Sequence, residues 1–156
     1  MSIKKQHITV AQLEDCEDIV DAQIRLALES ENLQLERKVV TQGVSHILEN
    51  STQGFYLVCK EENEFLGCGL VLFEWSDWRN GLVLWLHSVY VVPEARKSGV
   101  FRMLWNHLVQ KIQIDEKMKG IRLYVDSQNF MAKNVYHRMG METGHYEIFE
   151  YMKASE

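Results

Sequence analysis

The stretch "VVPEARKSGVFRML", residues 91–104, joins an apolar segment to a helix through a short polar turn. Pro93 cannot donate a hydrogen bond to a sheet, so a strand that reaches it ends there. Val100 and Leu104 are at helical spacing, which predicts a helix beginning just after Gly99. A helix N-terminus presents unpaired backbone N–H groups and the positive end of the helix dipole. The turn is therefore suited to hold an anion.

The segment before the turn, "LVLWLHSVYVV" at residues 82–92, is almost wholly apolar. A run of this kind predicts an interior strand that is covered on both faces. Further upstream, "GFYLVCK" (54–60) and "FLGCGLVLFEW" (65–75) flank a charged turn. Both segments are rich in β-branched and aromatic residues, so we expect them to form an antiparallel hairpin.

The remaining elements follow from apolar spacing. Residues 6–10 predict a short strand, and two helices follow it in the segments 11–30 and 37–49. After the helix that begins at Gly99 come a strand "IRLYV", a short helix ended by Gly140, and a last alternating strand, "HYEIFEYMK". The order β-α-α-β-β-β-α-β-α-β, with one more short strand near Met141, predicts six to seven strands and about four helices. We expect an α/β (α+β) fold with a mixed, mostly antiparallel sheet, in a single domain over residues 1–156.

Charge and composition exclude several classes of protein. The net charge is −5 and the basic residues are scattered, so the electrostatic signature of nucleic-acid binding is missing and a cationic partner suits the surface better. No apolar run approaches 18 residues, which predicts a protein without a membrane span. We expect a cytoplasmic protein.

The cysteines and histidines show no metal-binding pattern. Three cysteines, Cys16, Cys59 and Cys68, have no paired spacing and are predicted to be reduced packing residues. The six histidines form no HxxxH or Cys/His pair, so we predict no metal site.

Two segments resemble motifs of the GNAT superfamily of N-acetyltransferases. "VYVVPEARKSGVFRMLWNHLVQ" resembles the family's coenzyme A-binding motif, V-x-P-x-x-R/Q-x-x-G-x-G/A leading into a helix. "NFMAKNVYHRMGM" resembles its second motif, with Asn129, Ala132, Tyr136 and Gly140 in register. "EWSDWRNG", ahead of the first motif, is similar to a group of bacterial members. The resemblance implies the GNAT fold and an acetyl-CoA-dependent N-acetyltransferase.

The resemblance also implies how acetyl-CoA is held. The cosubstrate lies in a V-shaped split between the interior strand and the next one, where the backbone around Val89 and Val91 pairs with the pantetheine amides. The pyrophosphate is held by the N–H groups of residues 97–101, here named the cradle, and Asn129 contacts the pantetheine arm or the far end of the cofactor. The residues of the cradle are Lys97, Ser98, Gly99, Val100 and Phe101, and Arg96 adds charge beside it.

Two cradle residues depart from the family pattern. Phe101 replaces the second glycine or alanine, and Ser98 replaces a frequent glycine. Because main-chain N–H groups bind the phosphate, we expect the cradle to persist, with the Phe101 side chain pointing elsewhere and affinity for the cosubstrate lowered.

The implied reaction is direct attack of a primary amine on the thioester through a tetrahedral intermediate, which needs a base and an acid. Tyr136 matches the family's thiol-protonating tyrosine, and a phenol pKa near 10 suits that task. His87 is our candidate base because imidazole titrates in the useful range, and a water chain ending on a carboxylate is the alternative. Strand alternation predicts that His87 lies on the same face as Trp85, Val89 and Val91.

The acceptor is expected to be a small cationic amine such as a polyamine, an aminoglycoside or an amino-acid derivative. Glu29 and Glu31 at the end of the first helix, with Trp75 and Trp78 of the aromatic turn, would form an acidic, aromatic pocket for an ammonium group. The alternatives are a non-catalytic acyl-CoA-binding module and a peptide or protein N-acetyltransferase. The last strand could pair across a two-fold axis, which would make the protein a homodimer.

Overall fold

A computed structural model describes residues 5–154. Within them the strands are β1 (Gln6–Val10), β2 (Gly54–Glu61), β3 (Glu64–Ser76), β4 (Gly81–Val91) and β5 (Met118–Leu123). The α-helices are α1 (Cys16–Glu31), α2 (Arg37–Glu49), α3 (Val100–Ile114) and α4 (Phe130–Arg138). The chain divides into two compact units, one reaching to Tyr124 and one beginning at Val125.

The first unit contains one five-stranded sheet in the order β1-β2-β3-β4-β5. The pairs β1–β2, β2–β3 and β3–β4 are antiparallel, and the second of them is the predicted hairpin. β4 and β5 are parallel, because helix α3 carries the chain from one end of the sheet back to the other. β4 lies between β3 and β5, as its apolar sequence predicts.

Each face of the sheet carries its own apolar cluster. On one face the cluster includes Leu84 and Leu86 of β4 and Leu104 and Leu108 of α3; we call this the α3 face. On the other face, here the α1/α2 face, the cluster includes residues of both helices together with inward-pointing residues of the strands. Its members are Ala11, Ile19, Val20, Ala22, Val44, Tyr56, Val58, Cys68 and Tyr90. Helices covering both faces explain why β4 is apolar throughout.

The first helical segment begins later than its sequence spacing suggests. A single 3-10 turn, Leu13–Asp15, precedes α1. The buried carboxylate of Asp15 accepts the Gln12 backbone N–H at 2.8 Å and pairs with the ammonium group of Lys60 on β2. The turn therefore connects the start of α1 to the sheet, which spacing alone does not reveal.

The second unit contains α4 and an irregular segment. The Asn129 side chain accepts the Ala132 N–H at 3.0 Å and caps the helix, and Gly140, at φ +86°, ends it as predicted. The predicted last strand is wrong: residues 141–154 form no helix or strand, and Phe149 and Tyr151 are exposed. Alternation favours an extended chain, but a strand also needs a hydrogen-bonded neighbour. The sheet of the described residues therefore has five strands rather than six or seven.

Within residues 5–154, no helix is both long enough and apolar enough to span a membrane.

Candidate active site

The turn between β4 and α3 has a backbone suited to anion binding. After the 3-10 turn Pro93–Ala95, Lys97 and Gly99 adopt positive φ angles of +67° and +93°, whereas Ser98 between them does not. Such an alternation directs successive backbone N–H groups into one concavity. The Ser98 hydroxyl donates to the Ala95 carbonyl oxygen at 2.6 Å and stabilises this conformation.

The start of α3 adds the backbone N–H groups of a helix N-terminus. Gly99 is the N-cap residue and supplies no capping side chain, and the first helical hydrogen bond runs from the Met103 N–H to the Gly99 carbonyl oxygen at 3.0 Å. The first-turn N–H groups before it have no acceptor within the helix. A diphosphate fits this donor set, since its oxygens accept hydrogen bonds and its charge complements the helix dipole.

The two departures from the family pattern leave the cradle intact. Phe101 is half-buried and packs against the α3-face cluster, beside the fully buried Val100. A Cβ atom added at Gly99 would meet no atom within 4 Å, so a side chain would have room there. Glycine is favoured at this position because of its φ of +93°. The bulky residue is accommodated because its ring belongs to the core.

Arg96 does not direct its guanidinium group freely toward an anion. Its Nη2 donates to Glu29 Oε2 at 2.6 Å, and its Nε donates to the Val91 carbonyl oxygen at 3.0 Å. Its Cζ lies 5.6 Å from the centroid of the Tyr90 ring, and the Tyr90 hydroxyl donates to Glu29 Oε1 at 3.1 Å. The Arg96 guanidinium lowers the pKa of Glu29, and that carboxylate in turn raises the pKa of Arg96. We call this arrangement the Glu29–Arg96 clamp.

The clamp changes the interpretation of Glu29. The sequence suggested that this carboxylate binds an ammonium group of the substrate, but it is already engaged by Arg96 and Tyr90. It joins the C-terminal end of α1 to the turn that precedes the cradle.

The split implied by the family resemblance is present between β4 and β5. Their pairing ends at Leu86 and Leu123, whereas β4 continues to Val91. The Val92 N–H donates to the Leu66 carbonyl oxygen of β3 at 3.0 Å. Because peptide groups alternate along a strand, those of Val91 point to the opposite, open edge. The Val91 carbonyl oxygen accepts from Arg96 Nε, and the Val91 N–H is directed toward the split.

A β-bulge lies at the point where the strands separate. Ser88 has a φ of +49°, and the register between β3 and β4 shifts between Cys68 and Leu70. Gln23 of α1 donates to the Ser88 carbonyl oxygen at 3.2 Å and so connects the helix to the bulge.

The bulge places His87 on a different face from the one predicted. His87 is opposite Leu70, which packs on the α1/α2 face, whereas Val89 and Val91 pack on the α3 face. The prediction that His87 shares a face with Val89 and Val91 is therefore wrong. One extra residue at Ser88 reverses the alternation beyond it.

His87 lies in an aromatic environment. Its ring centroid is 5.9 Å from that of Trp85 and 5.2 Å from that of Tyr124. Partial burial lowers the pKa of His87 below its ordinary value, which favours the neutral imidazole that a general base requires. Trp85 and Tyr124 are themselves in contact, with ring centroids 4.7 Å apart. We call Trp85, His87 and Tyr124 the aromatic trio.

A charged pair supports the aromatic trio. Glu74 of β3 accepts from Arg122 Nη1 of β5 at 2.8 Å and also from the Trp85 indole N–H. The Arg122 Cζ lies 5.8 Å from the Trp85 ring centroid. Sequence reasoning missed Glu74, Arg122 and Tyr124, because they come from three different strands or strand ends and carry no motif.

The predicted acidic, aromatic pocket is not formed. Glu29 bonds to Tyr90, near one end of β4, whereas Trp75 pairs with Leu82 near the other end. The intervening length of β4 is roughly 26 Å at about 3.3 Å per residue. Trp78 follows in the turn beyond Trp75 and is 86% exposed. Glu31 is exposed at the end of α1, so the two glutamates lie in one part of the chain and the two tryptophans in another.

Two predicted site residues belong to the second unit. The side-chain oxygen of Asn129 caps α4, which leaves its amide N–H₂ group as the donor for any other contact. Burial raises the pKa of the Tyr136 phenol. A raised pKa keeps the phenol protonated, as a general acid must be.

Among residues 5–154, no three His, Cys, Asp or Glu side chains are grouped so that they could hold a metal ion.

A strand that separates from its parallel neighbour at a bulge, followed by a helix start without a capping side chain, is the arrangement that the resemblance to N-acetyltransferases implies. The sequence model of the Acetyltransferase (GNAT) family matches residues 19–141. The chain belongs to this family and is an acetyltransferase. A comparison with curated proteins gave no match.

Solved structures share the fold. A protein described as a possible acetyltransferase from Clostridium difficile 630 is 35% identical, with a TM-score of 0.90 over 96% of this chain and 99% of its own. A predicted acetyltransferase from Clostridium acetobutylicum, solved with acetyl-CoA, is 17% identical, with a TM-score of 0.75 over 94% and 96%. An aminoglycoside N-acetyltransferase in complex with CoA is 15% identical, with a TM-score of 0.75 over 96% of both chains. At 17% and 15% identity, these two show the fold alone.

Proposed function

We propose that this protein transfers the acetyl group of acetyl-CoA to the primary amine of a small substrate that is cationic in water. Acetyl-CoA, when bound, supplies an activated thioester. The observation that supports the proposal best is the cradle at the start of α3, because no side chain caps this helix start and it lies directly after the open edge of β4. Neighbouring structures solved with acetyl-CoA or CoA support the choice of cosubstrate.

The backbone has the binding role in this proposal. The N–H groups of Lys97, Ser98, Gly99, Val100 and Phe101 would hold the pyrophosphate, while the peptide groups of Val89 and Val91 would pair with the pantetheine arm. Arg96 contributes by orienting the turn through the Glu29–Arg96 clamp and less by direct contact. Asn129 would add a contact through its amide N–H₂ group.

Proton transfers complete the reaction. The neutral imidazole of His87 would take a proton from the ammonium group of the substrate, directly or through water, and so give the neutral amine that attacks the thioester. A carbon–nitrogen bond would then form, the nitrogen would lose its second proton to water, and the carbon–sulfur bond would break to release the thiolate. Tyr136 would give its proton to that thiolate, and solvent would restore both groups.

The cradle is tested by titrating the protein calorimetrically with acetyl-CoA and CoA. We expect micromolar binding, and we expect Gly99→Ala to weaken it by about tenfold because alanine is strained at a φ of +93°. Gly43→Ala is the matched control: Gly43 lies within α2, and an added Cβ there also meets no atom within 4 Å, but it has no positive φ. Equal affinities in the two variants, or no binding below about a millimolar, would contradict the proposal.

Activity is tested by thiol release with a panel of amines and short peptides. Binding of acetyl-CoA without amine-dependent thiol release would favour the acyl-CoA-binding module instead. Preference for peptides would favour a peptide N-acetyltransferase. The homodimer and the cytoplasmic location stay predictions from the sequence, and sedimentation of the purified protein would check the first of them.

A further inference from the structure

The position of the aromatic trio bears on the choice of acceptor. Leu86 and Leu123 are the last paired residues of β4 and β5, and His87 and Tyr124 directly follow them. These two rings therefore flank the point where the strands separate. Under the proposed function, this is where the amine meets the thioester.

The trio is accessible rather than a closed core. Tyr124 is 51% exposed, and Trp85 and His87 are half-buried. Their centroids lie 4.7 to 5.9 Å apart, a spacing at which aromatic rings form one continuous surface. Ligand-binding grooves are among the places where contiguous apolar side chains remain exposed.

The charges around the trio are already balanced. Both oxygens of Glu74 accept hydrogen bonds, one from Arg122 and one from the Trp85 indole. At the end of α1, both oxygens of Glu29 are likewise engaged, by Arg96 and Tyr90. A second ammonium group of an extended polycation would compete with these contacts for either carboxylate.

The guanidinium group of Arg122 also lies near the trio, because its Cζ is 5.8 Å from the Trp85 ring centroid. A second cation approaching that ring would meet a like charge. A flat apolar group faces no such penalty and can pack on the exposed ring of Tyr124.

We propose that the acceptor is an arylalkylamine, a single primary amine joined by a short chain to a planar apolar ring, and that Tyr124 determines this specificity. The inference rests on the proposed function, since it places the acceptor's ring on the aromatic trio while the amine reaches the split.

The test compares phenethylamine, hexylamine and spermidine as probes. We expect kcat/KM to be highest for phenethylamine. Tyr124→Ala should lower that value by about threefold to tenfold, the range for one aromatic contact, while Tyr124→Phe stays near the unmodified protein. Because Tyr124 is half exposed, both variants should fold, and thermal unfolding verifies this. Trp78→Ala is the matched control: it removes an exposed aromatic ring at the far end of β4 and should change nothing.

Binding of the three amines to the CoA-loaded protein, measured by calorimetry, separates this inference from the proposed function. Two outcomes overturn the inference and leave the function standing, provided that amines are acetylated. In one, kcat/KM for phenethylamine is no higher than for the other amines; in the other, Tyr124→Ala keeps the preference for phenethylamine. If phenethylamine binds best and loses its advantage in Tyr124→Ala without any acetylation, the aromatic trio stands as a binding site for such amines, but the function and the acceptor role both fail. Absence of both preferential binding and turnover overturns both.

Discussion

The two ends of β4 carry similar residue types but differ in how these are used. At the end near Val91, here the split end, acidic and aromatic side chains are bound to arginines or to one another. At the end near Gly81, the hairpin end, Trp75 and Trp78 are exposed to solvent. The difference shows that residue type alone does not predict a role in the site. The position of an aromatic or acidic residue relative to the point where β4 and β5 separate must also be known.

The largest expected effect is at His87 on the split end. His87→Gln removes the candidate base and should lower kcat by about 10²- to 10⁴-fold, the usual contribution of a general base. Affinity for acetyl-CoA should change little, because the cradle is formed by backbone groups. Single-turnover kinetics with calorimetry would measure both, and an unchanged kcat would assign proton removal to water.

The pH profile gives an independent measure of the same residue. Burial lowers the pKa of His87 below 6.5, so the imidazole is neutral at pH 7 and becomes protonated only as pH falls through that lower value. The rate should therefore fall by about tenfold per pH unit on the acid side of this pKa. Titration of the amine itself affects the unmodified protein and His87→Gln equally. The ratio of their two pH–rate profiles therefore isolates the titration of His87. A ratio that does not vary with pH would contradict its role as base.

Tyr136 lies in α4, outside β4, so it tests the mechanism independently of the two ends of β4. Tyr136→Phe removes only the phenol proton and should lower kcat by about tenfold to a thousandfold, while acetyl-CoA affinity stays nearly the same. Full turnover in this variant would exclude Tyr136 from the mechanism, whatever the outcome at His87.

The Glu29–Arg96 clamp should have a smaller effect. Glu29→Gln weakens the contact that orients the turn before the cradle, so KM for acetyl-CoA should rise by about twofold to fivefold, in the range of an exposed ion pair. The value of kcat should hold. Glu31→Gln, two residues further along α1, is the matched control with the same loss of charge. Equal effects of the two variants would show that only net charge matters.

The hairpin end should give the smallest effect. Trp78→Ala alters an exposed side chain in a turn, and we expect less than about a twofold change in kcat/KM for any amine. A larger loss would mean that the acceptor reaches the hairpin end, and the comparison between the two ends would fail.

Local pattern accounts for the parts of the fold that were predicted correctly. Pro93 and Gly99 delimit the turn, and the apolar spacing from Val100 predicts α3, because each of these signals acts within a few residues. The last strand failed because alternation cannot supply a partner strand. The face of His87 was wrong because a serine with positive φ, Ser88, has no signature in the sequence.

The sequence by itself determined the order of the elements from β1 to α4 and the family, and it predicted the cradle, since all three depend on residues close together in the chain. Only the tertiary structure decided the environment of the side chains at the split. Glu29 reaches Arg96, and Glu74 reaches Arg122, from elements far away in sequence. Which charges are neutralised depends on how strands and helices pack, and pairwise contacts of that kind leave no local pattern to read.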